Sequence, residues 1–251
     1  MKKLLTLMLA GAASFSVLSG DFDSTQLKIE NAMKSNLRTL KEVYRDSNRK
    51  PVETLKFFGL REDMRVVELL PGGGWYTKIL APTLKEKGDF YVALNTTQVE
   101  QHLLPHPDFQ HTKVAGKDAK IWREEGSPVL SAKLDSLGVD NVDMVLTFRN
   151  YHSFTPEARM ELNHAIFKAL KPGGVYGVIT HTARHMEPNK HENSRRIDPV
   201  KAILEITKAG FVFEDYSDLH YRPVDKLDKE VGDRSVTGRT DRWTFRFRKP
   251  E

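Results

Sequence analysis

Three short stretches carry side chains whose types and spacing suit chemistry. In the first, the apolar run Val66-Val67-Glu68-Leu69-Leu70 breaks after Pro71 into Gly72, Gly73 and Gly74, and helical spacing resumes at Trp75 and Tyr76. That order predicts strand, tight turn and helix. Glycine has no Cβ to hold a ligand away from the backbone, and the free N–H groups that open a helix favour polar or anionic groups. The stretch is a candidate cofactor cradle; Trp75 either covers the cofactor or packs as core, and Tyr76 is expected to point elsewhere. In the second, Arg149, Asn150, Tyr151 and His152 follow the β-rich run Val142–Phe148. A guanidinium clamps a carboxylate or phosphate, an amide and a phenol orient a nucleophile, and an imidazole takes a proton near neutrality. The structural alternative is that Arg149 pairs with an acidic neighbour while Tyr151 and His152 close a loop. The third holds His181, His185 and His191, then Arg195, Arg196 and Asp198. Imidazoles at short spacing can converge on zinc or copper, but this spacing is not a recognised ligand pattern, so no metal is expected. Substrate contact by His181 and Arg196 is the preferred expectation, with an Asp198–arginine ion pair as the structural alternative.

The elements that must position these groups follow from periodicity. Apolar residues from Leu27 to Val43 keep helical spacing, with Ser24 able to cap, and predict one leading helix over 24–44. A second helix opens at Pro51 and stops at Gly59. Strands are expected at 65–70, 89–94, 142–148, 175–180, 211–216 and 242–248, with a short one at 120–122. The helix after the glycines is expected to break at Pro82; further helices are expected over 156–170 and 199–209. Strands alternate with helices until the last pair, which predicts a doubly wound α/β fold: a mostly parallel sheet with helices on both faces. Ligands of such sheets bind beyond the carboxyl ends of the strands, where strand order reverses. All three reactive stretches fall at such ends.

The chain has 251 residues, 39% of them hydrophobic and 29% charged, enough for one sizeable core. It holds no cysteine, which removes disulfides, thiolate nucleophiles and cysteine metal sites. The net charge of +5 is interspersed rather than blocked, so no nucleic-acid footprint is read. Arg242, Arg246 and Arg248 alternate with Trp243, Phe245 and Phe247, the pattern of a strand with one solvated face. Met1-Lys2-Lys3, an apolar stretch to Leu18, and Ser19-Gly20 read as a signal peptide over 1–20. This predicts export, to the periplasm in a bacterium, with no stable membrane span once the leader is removed. The remaining chain divides into N-terminal helices over 21–60 and an α/β domain over 61–251.

A dinucleotide-binding pattern wants a further glycine where Thr77 stands, which weakens a dehydrogenase reading. The glycine loop instead resembles that of class I S-adenosylmethionine-dependent methyltransferases, in which the first strand carries an acidic residue before a glycine-rich turn. Glu68 with Gly72 and Gly74 fits that pattern, while Leu70 stands where the family usually has its first glycine. Leu170-Lys171-Pro172-Gly173-Gly174 and the closing strand pair are similar to later parts of the same fold. Phrases such as Thr147-Phe148-Arg149-Asn150-Tyr151-His152 and Arg196-Ile197-Asp198-Pro199 resemble an exported subgroup of predicted methyltransferases. The resemblance implies a Rossmann-like seven-stranded sheet ending in an antiparallel pair. It implies S-adenosylmethionine held by Glu68, Gly72, Gly73, Gly74, Trp75 and Asn95, the last at the position that contacts the ribose. The acceptor would be a small or anionic molecule, with Asn150, Tyr151 and His152 as candidate catalytic residues and Arg149, His181 and Arg196 as substrate contacts. Two other classes stay open: a ligand-binding module without catalysis, which Leu70 and Asn95 would suit, and a metal enzyme built on the three histidines. Export also sits in tension with a cofactor made in the cytoplasm.

Overall fold

The computed structural model describes residues 18–188 and 190–251. The expected leader lies outside the described residues as far as position 17, and α1 (Leu18–Met33) starts at its last residues. The single helix expected over 24–44 is broken. After α1 the chain turns and forms α2 (Leu40–Tyr44), α3 (Asp46–Arg49) and α4 (Pro51–Phe58). Local hydrogen bonds explain the break. Arg38 donates to the carbonyl of Met33 at 2.8 Å and pairs with Asp46, while Thr39 and Glu42 cap α2 reciprocally. Leu27, Leu40 and Val43, counted in the apolar stripe, are exposed. Lys50 separates α3 from α4 with a left-handed φ of 42°.

The sheet strands are β1 (Arg65–Leu69), β2 (Asp89–Ala93), β3 (Lys113–Ala115), β6 (Val142–Phe148), β7 (Leu170–His181), β8 (Val212–Ser217) and β9 (Arg242–Arg248). Between β3 and β6, the short β4 (Lys120–Trp122) pairs with β5 (Ser131–Lys133) as a separate antiparallel ribbon. The order in the main sheet is β3-β2-β1-β6-β7-β9-β8; the first five strands are parallel, and β9 runs antiparallel between β7 and β8. The seven-stranded doubly wound sheet with its closing antiparallel pair is therefore as expected.

Helices cover both faces: α5 (Thr77–Leu84), α6 (Thr97–His102), α7 (Pro156–Ala169) and α8 (Pro199–Lys208) join α1 and α4. The pleat divides the core. Val66, Met144, Leu146 and Ile179 pack with Ile29, Leu55, Phe58 and Ile79 on one face. Val67, Val145 and Val178 pack with Leu162, Ile166, Ile206 and Phe247 on the other. Each such buried aliphatic side chain contributes roughly 1.5–3 kcal/mol. Three local expectations change. The strand expected at 120–122 is β4 of the separate ribbon, and the outer strand beside β2 is β3. The helix after the glycines runs through Pro82 to Leu84. The turn expected at Lys171–Gly174 lies inside β7, where Gly173 is left-handed at φ 72° and pairing jumps from Val142–Leu170 to Met144–Val175.

Candidate functional site

Strand order reverses between β1 and β6, and beyond their carboxyl ends lies a cavity of about 320 Å³. Leu70, Gly72 and Gly73 form one wall, Phe148, Arg149 and Asn150 another, and Glu42, Arg45 and Arg49 close it from the N-terminal helices. The backbone at the strand ends is unusual. Leu70, Asn95 and Arg149 all have left-handed φ, at 50°, 51° and 69°, without being glycine. Hydrogen bonds hold the turns that border the cavity. Leu70 N–H donates to the Ala93 carbonyl at 2.8 Å, Arg149 N–H to the Ile179 carbonyl at 2.6 Å, and the Asn150 amide to the Leu70 carbonyl at 3.2 Å. Thus Asn150 ties the end of β6 to the glycine turn.

A Cβ added at Gly72 or Gly73 would meet open space, so both present bare backbone to the cavity. Gly74 has another purpose: its Cβ would lie 2.3 Å from the Leu103 side chain, and it permits close packing rather than ligand approach. Trp75 borders the cavity, its Nε1–H donating to the Glu42 carbonyl at 3.0 Å. Tyr76 borders it too, stacked on Phe148 at 3.5 Å between centroids, which corrects the expectation that it points away. The Arg49 guanidinium lies over the Trp75 ring at 4.4 Å. Arg45 and Arg49 were not singled out in the sequence; the four-residue spacing that puts both on one helical side was the available signal.

Glu68 borders the cavity, 2% exposed, and accepts a hydrogen bond from Thr77 Oγ1 at 2.6 Å. Burial pushes its carboxyl up to about 7, against the opposing pull of Thr77 and Arg49. Glu42 is held below the usual carboxylate range: burial acts to raise it, but the hydrogen bonds from Lys78 and Thr39 prevail. Burial, then the neighbouring cations Arg45, Arg149 and Arg242 pull Arg49 down to about 9 despite the attraction of Tyr76.

Other expected site residues lie elsewhere. Asn95 borders a separate cavity of about 690 Å³ beyond β2 and β3. Tyr151 is core: its hydroxyl donates to Glu205 at 3.2 Å and accepts from Asn163 at 3.0 Å, and burial raises its pKa. His152 is buried against Thr180 Oγ1 at 2.5 Å, and burial followed by nearby arginines, Arg149 first, brings its pKa down to about 3. An imidazole so placed is neutral and does not border the cavity, so neither it nor Tyr151 fills the catalytic role expected. Arg196 is 1% exposed and forks onto Asp225 at 2.9 and 3.1 Å, which makes it a structural pair rather than a substrate contact. Asp198 caps α8 through Val200 N–H and accepts from His185, so the pair considered between Asp198 and an arginine is absent among the described residues. Among the described residues no three histidines and carboxylates gather as a metal set, and His181, His185 and His191 do not converge. His181 does border a second cavity, where its Nε2 accepts from Arg149 Nε–H at 3.2 Å. Arg242, expected on a solvated face, is 7% exposed and borders that cavity as well.

No family model matches the sequence, and no curated protein matches it. Solved structures resemble it in fold. A SAM-dependent methyltransferase from Aquifex aeolicus superposes with a TM-score of 0.55 at 16% identity, over 89% of this chain and 97% of that one. The [4+2]-cyclase SpnF gives 0.56 at 13% identity, over 92% and 94%. An S-adenosylmethionine-dependent methyltransferase from Mesorhizobium loti gives 0.51 at 16%, over 79% and 97%. The chain therefore has the Rossmann-like methyltransferase fold, which also hosts other chemistry.

Two stability measurements check these assignments. Glu68 has its pKa raised in the folded state, so its contribution is full below its ordinary range near 4.5 and is lost as pH rises to about 7. Glu68→Gln should remove that loss, so its unfolding midpoint relative to wild type should improve between pH 4.5 and pH 8; a parallel pair of pH profiles would contradict the buried carboxyl. Arg196→Met should cost about 3–5 kcal/mol in chemical denaturation, because Asp225 is left as an unpaired buried charge.

Proposed function

We propose that this protein binds S-adenosylmethionine beyond the ends of β1 and β6 and transfers its methyl group to a small anionic acceptor. The carrying observation is the cavity at the strand-order reversal, floored by the bare backbone of Gly72 and Gly73, in a fold shared with SAM-dependent methyltransferases. The residues fit such a ligand. Exposed peptide groups suit the amino-acid end, the Glu68 carboxylate suits an ammonium, and the Trp75, Tyr76 and Phe148 rings supply an aromatic wall. Asn95, in the neighbouring cavity, suits the sugar hydroxyls.

Bound S-adenosylmethionine supplies an already activated methyl group, so the protein mainly aligns the acceptor and excludes water. Arg49 and Arg149 orient an anionic acceptor electrostatically. Asn150 holds the two strand ends in register, and its amide is engaged with the Leu70 carbonyl rather than free to contact a nucleophile. An acceptor atom that arrives ionised needs no base, so the burial of His152 and Tyr151 away from the cavity leaves this reaction intact. A second reading, ligand binding without catalysis, is favoured by one observation: Leu70 and Asn95 occupy positions where the resembling family has glycine and an acidic residue.

We further propose that residues 1–20 are a leader for export to the periplasm, supported by the basic start and apolar stretch. Among the described residues no helix is long and apolar enough to cross a membrane. N-terminal sequencing of the protein secreted by its natural host should start near Asp21; a retained Met1 would overturn the leader.

For the cavity, Gly73→Val adds a branched side chain into open space at a residue without positive φ. Stabilisation by S-adenosylhomocysteine in a thermal shift should fall at least tenfold in apparent affinity while the unliganded midpoint stays within a few degrees. Unchanged affinity would remove the glycine turn from the binding site.

A further inference from the structure

Behind the wall formed by Arg45, Arg49 and Arg149 lies a second cavity of about 360 Å³, bordered also by Lys41, Arg242 and His181. The two cavities share those three arginines. Five cationic side chains border the second one, and no carboxylate does. Among the described residues none of the five is in a salt bridge, whereas Arg38, Arg159 and Arg196 nearby in sequence or space each have a carboxylate partner. The cations of this cavity thus have no ion-pair partner among the described residues, and the carboxylates that act on Arg45 and Arg49, Glu42 and Glu68, lie on the side of the first cavity.

Burial makes this unusual. Arg49 and Arg242 are 9% and 7% exposed, and charged groups withdrawn from water are ordinarily paired. Much of the cluster's hydrogen-bonding capacity is unspent. The Arg49 and Arg45 guanidinium groups donate no hydrogen bond among the described residues, and Arg149 donates only through Nε, to His181. Arg242 Nε and His181 Nδ1 are both buried without a partner, and His181 is 3% exposed. Arg242 otherwise reaches only the carbonyl and side-chain oxygens of Asn48. The Arg49 guanidinium lies over the Trp75 ring at 4.4 Å, a contact that engages none of its N–H donors in a hydrogen bond. Burial first, and then Arg149 and other neighbouring cations, lower Arg242 to about 10, as expected of a cluster awaiting an anion.

We propose that this second cavity is the acceptor subsite and that it takes a phosphoryl dianion, so that the acceptor is a small phosphate-bearing molecule. The choice of a dianion follows from the count of cations, since a single carboxylate would leave most of them unmatched. The choice of phosphoryl follows from shape: three guanidinium groups converging from α2–α3 and the end of β6 suit an anion with oxygens in several directions. The assignment of the anion as part of the acceptor rests on the methyl-transfer reading. The shared arginine wall places that anion beside the cavity assigned to the cofactor, where its charge also offsets the repulsion between the arginines and a cationic sulfonium.

The test is calorimetric titration of the full chain with inorganic phosphate, in buffer free of adenosyl compounds, against acetate at matched ionic strength. Saturable phosphate binding is expected, with acetate at least tenfold weaker. Arg45→Gln removes a half-buried guanidinium that makes no hydrogen bond, and Lys41→Gln changes an exposed residue that borders only the second cavity, so neither disturbs packing. Phosphate affinity should fall about tenfold in the first and several-fold in the second. No saturable binding, equal response to acetate, or affinities unchanged in both variants would overturn the subsite. Titration with S-adenosylmethionine in phosphate-free buffer separates the two claims. Cofactor binding without phosphate binding removes the subsite alone, and phosphate binding without cofactor binding upholds the anion site while removing its role as acceptor.

Discussion

The arrangement depends on the backbone turning left-handed at the carboxyl ends of adjacent strands without glycine. Leu70 after β1, Leu94 and Asn95 after β2, and Arg149 after β6 all adopt it. Each such residue carries strain of order 1–3 kcal/mol, tolerated only where surrounding bonds over-determine the conformation. Here they do. The Leu70 peptide is bonded on both sides, by Ala93 and by the Asn150 amide, and the Arg149 peptide is bonded to β7 through Ile179. These turns bend the chain off the sheet edge and open the crevice between β1 and β6, into which the glycines, the aromatic wall and Arg149 then face.

What fills the crevice is a conflict of charge. Glu68 is a buried carboxyl near its midpoint at neutral pH, and Glu42 is neutralised by Lys78, yet Arg45, Arg49, Arg149 and Arg242 remain unpaired. A protein selected for stability alone would pair or solvate them, so the cluster is best understood as a site whose counter-charge comes from a ligand. The same surroundings act on His152 and His181. Burial first, then neighbouring arginines for His152 and the His152 ring and neighbouring arginines for His181, push both pKa values down, and His181 serves as an acceptor for Arg149.

The fold was legible in the sequence because its signals are local and repeated: compact β-rich runs, glycine and proline at the ends of helices, and a strand–glycine–helix unit. That the glycine turn, Trp75 and Arg149 lie at strand ends was legible for the same reason. The rest required tertiary information. Tyr151 and His152 come just after Arg149 and Asn150, but the short helical turn there buries both, a choice that depends on Thr180, Asn163 and Glu205 further along the chain. Arg196 looked like a site residue until Asp225, 29 positions away, proved to be its partner. Arg242 followed strand alternation correctly, yet the face it occupies is covered by α3 and the 231–240 loop rather than by water. Arg49 in α3, and Arg45 at the turn between α2 and α3, belong to a segment that reads as a prelude to the domain and in fact closes its cavity.

The central claim is that the cavity beyond β1 and β6 binds S-adenosylmethionine. Calorimetric titration of the purified full chain with S-adenosylmethionine and with S-adenosylhomocysteine tests it most directly. The account predicts one site with micromolar affinity for at least one of the two, and no comparable binding of adenosine triphosphate. A well-folded sample that binds neither compound would contradict the claim and leave the fold as a scaffold kept for another ligand.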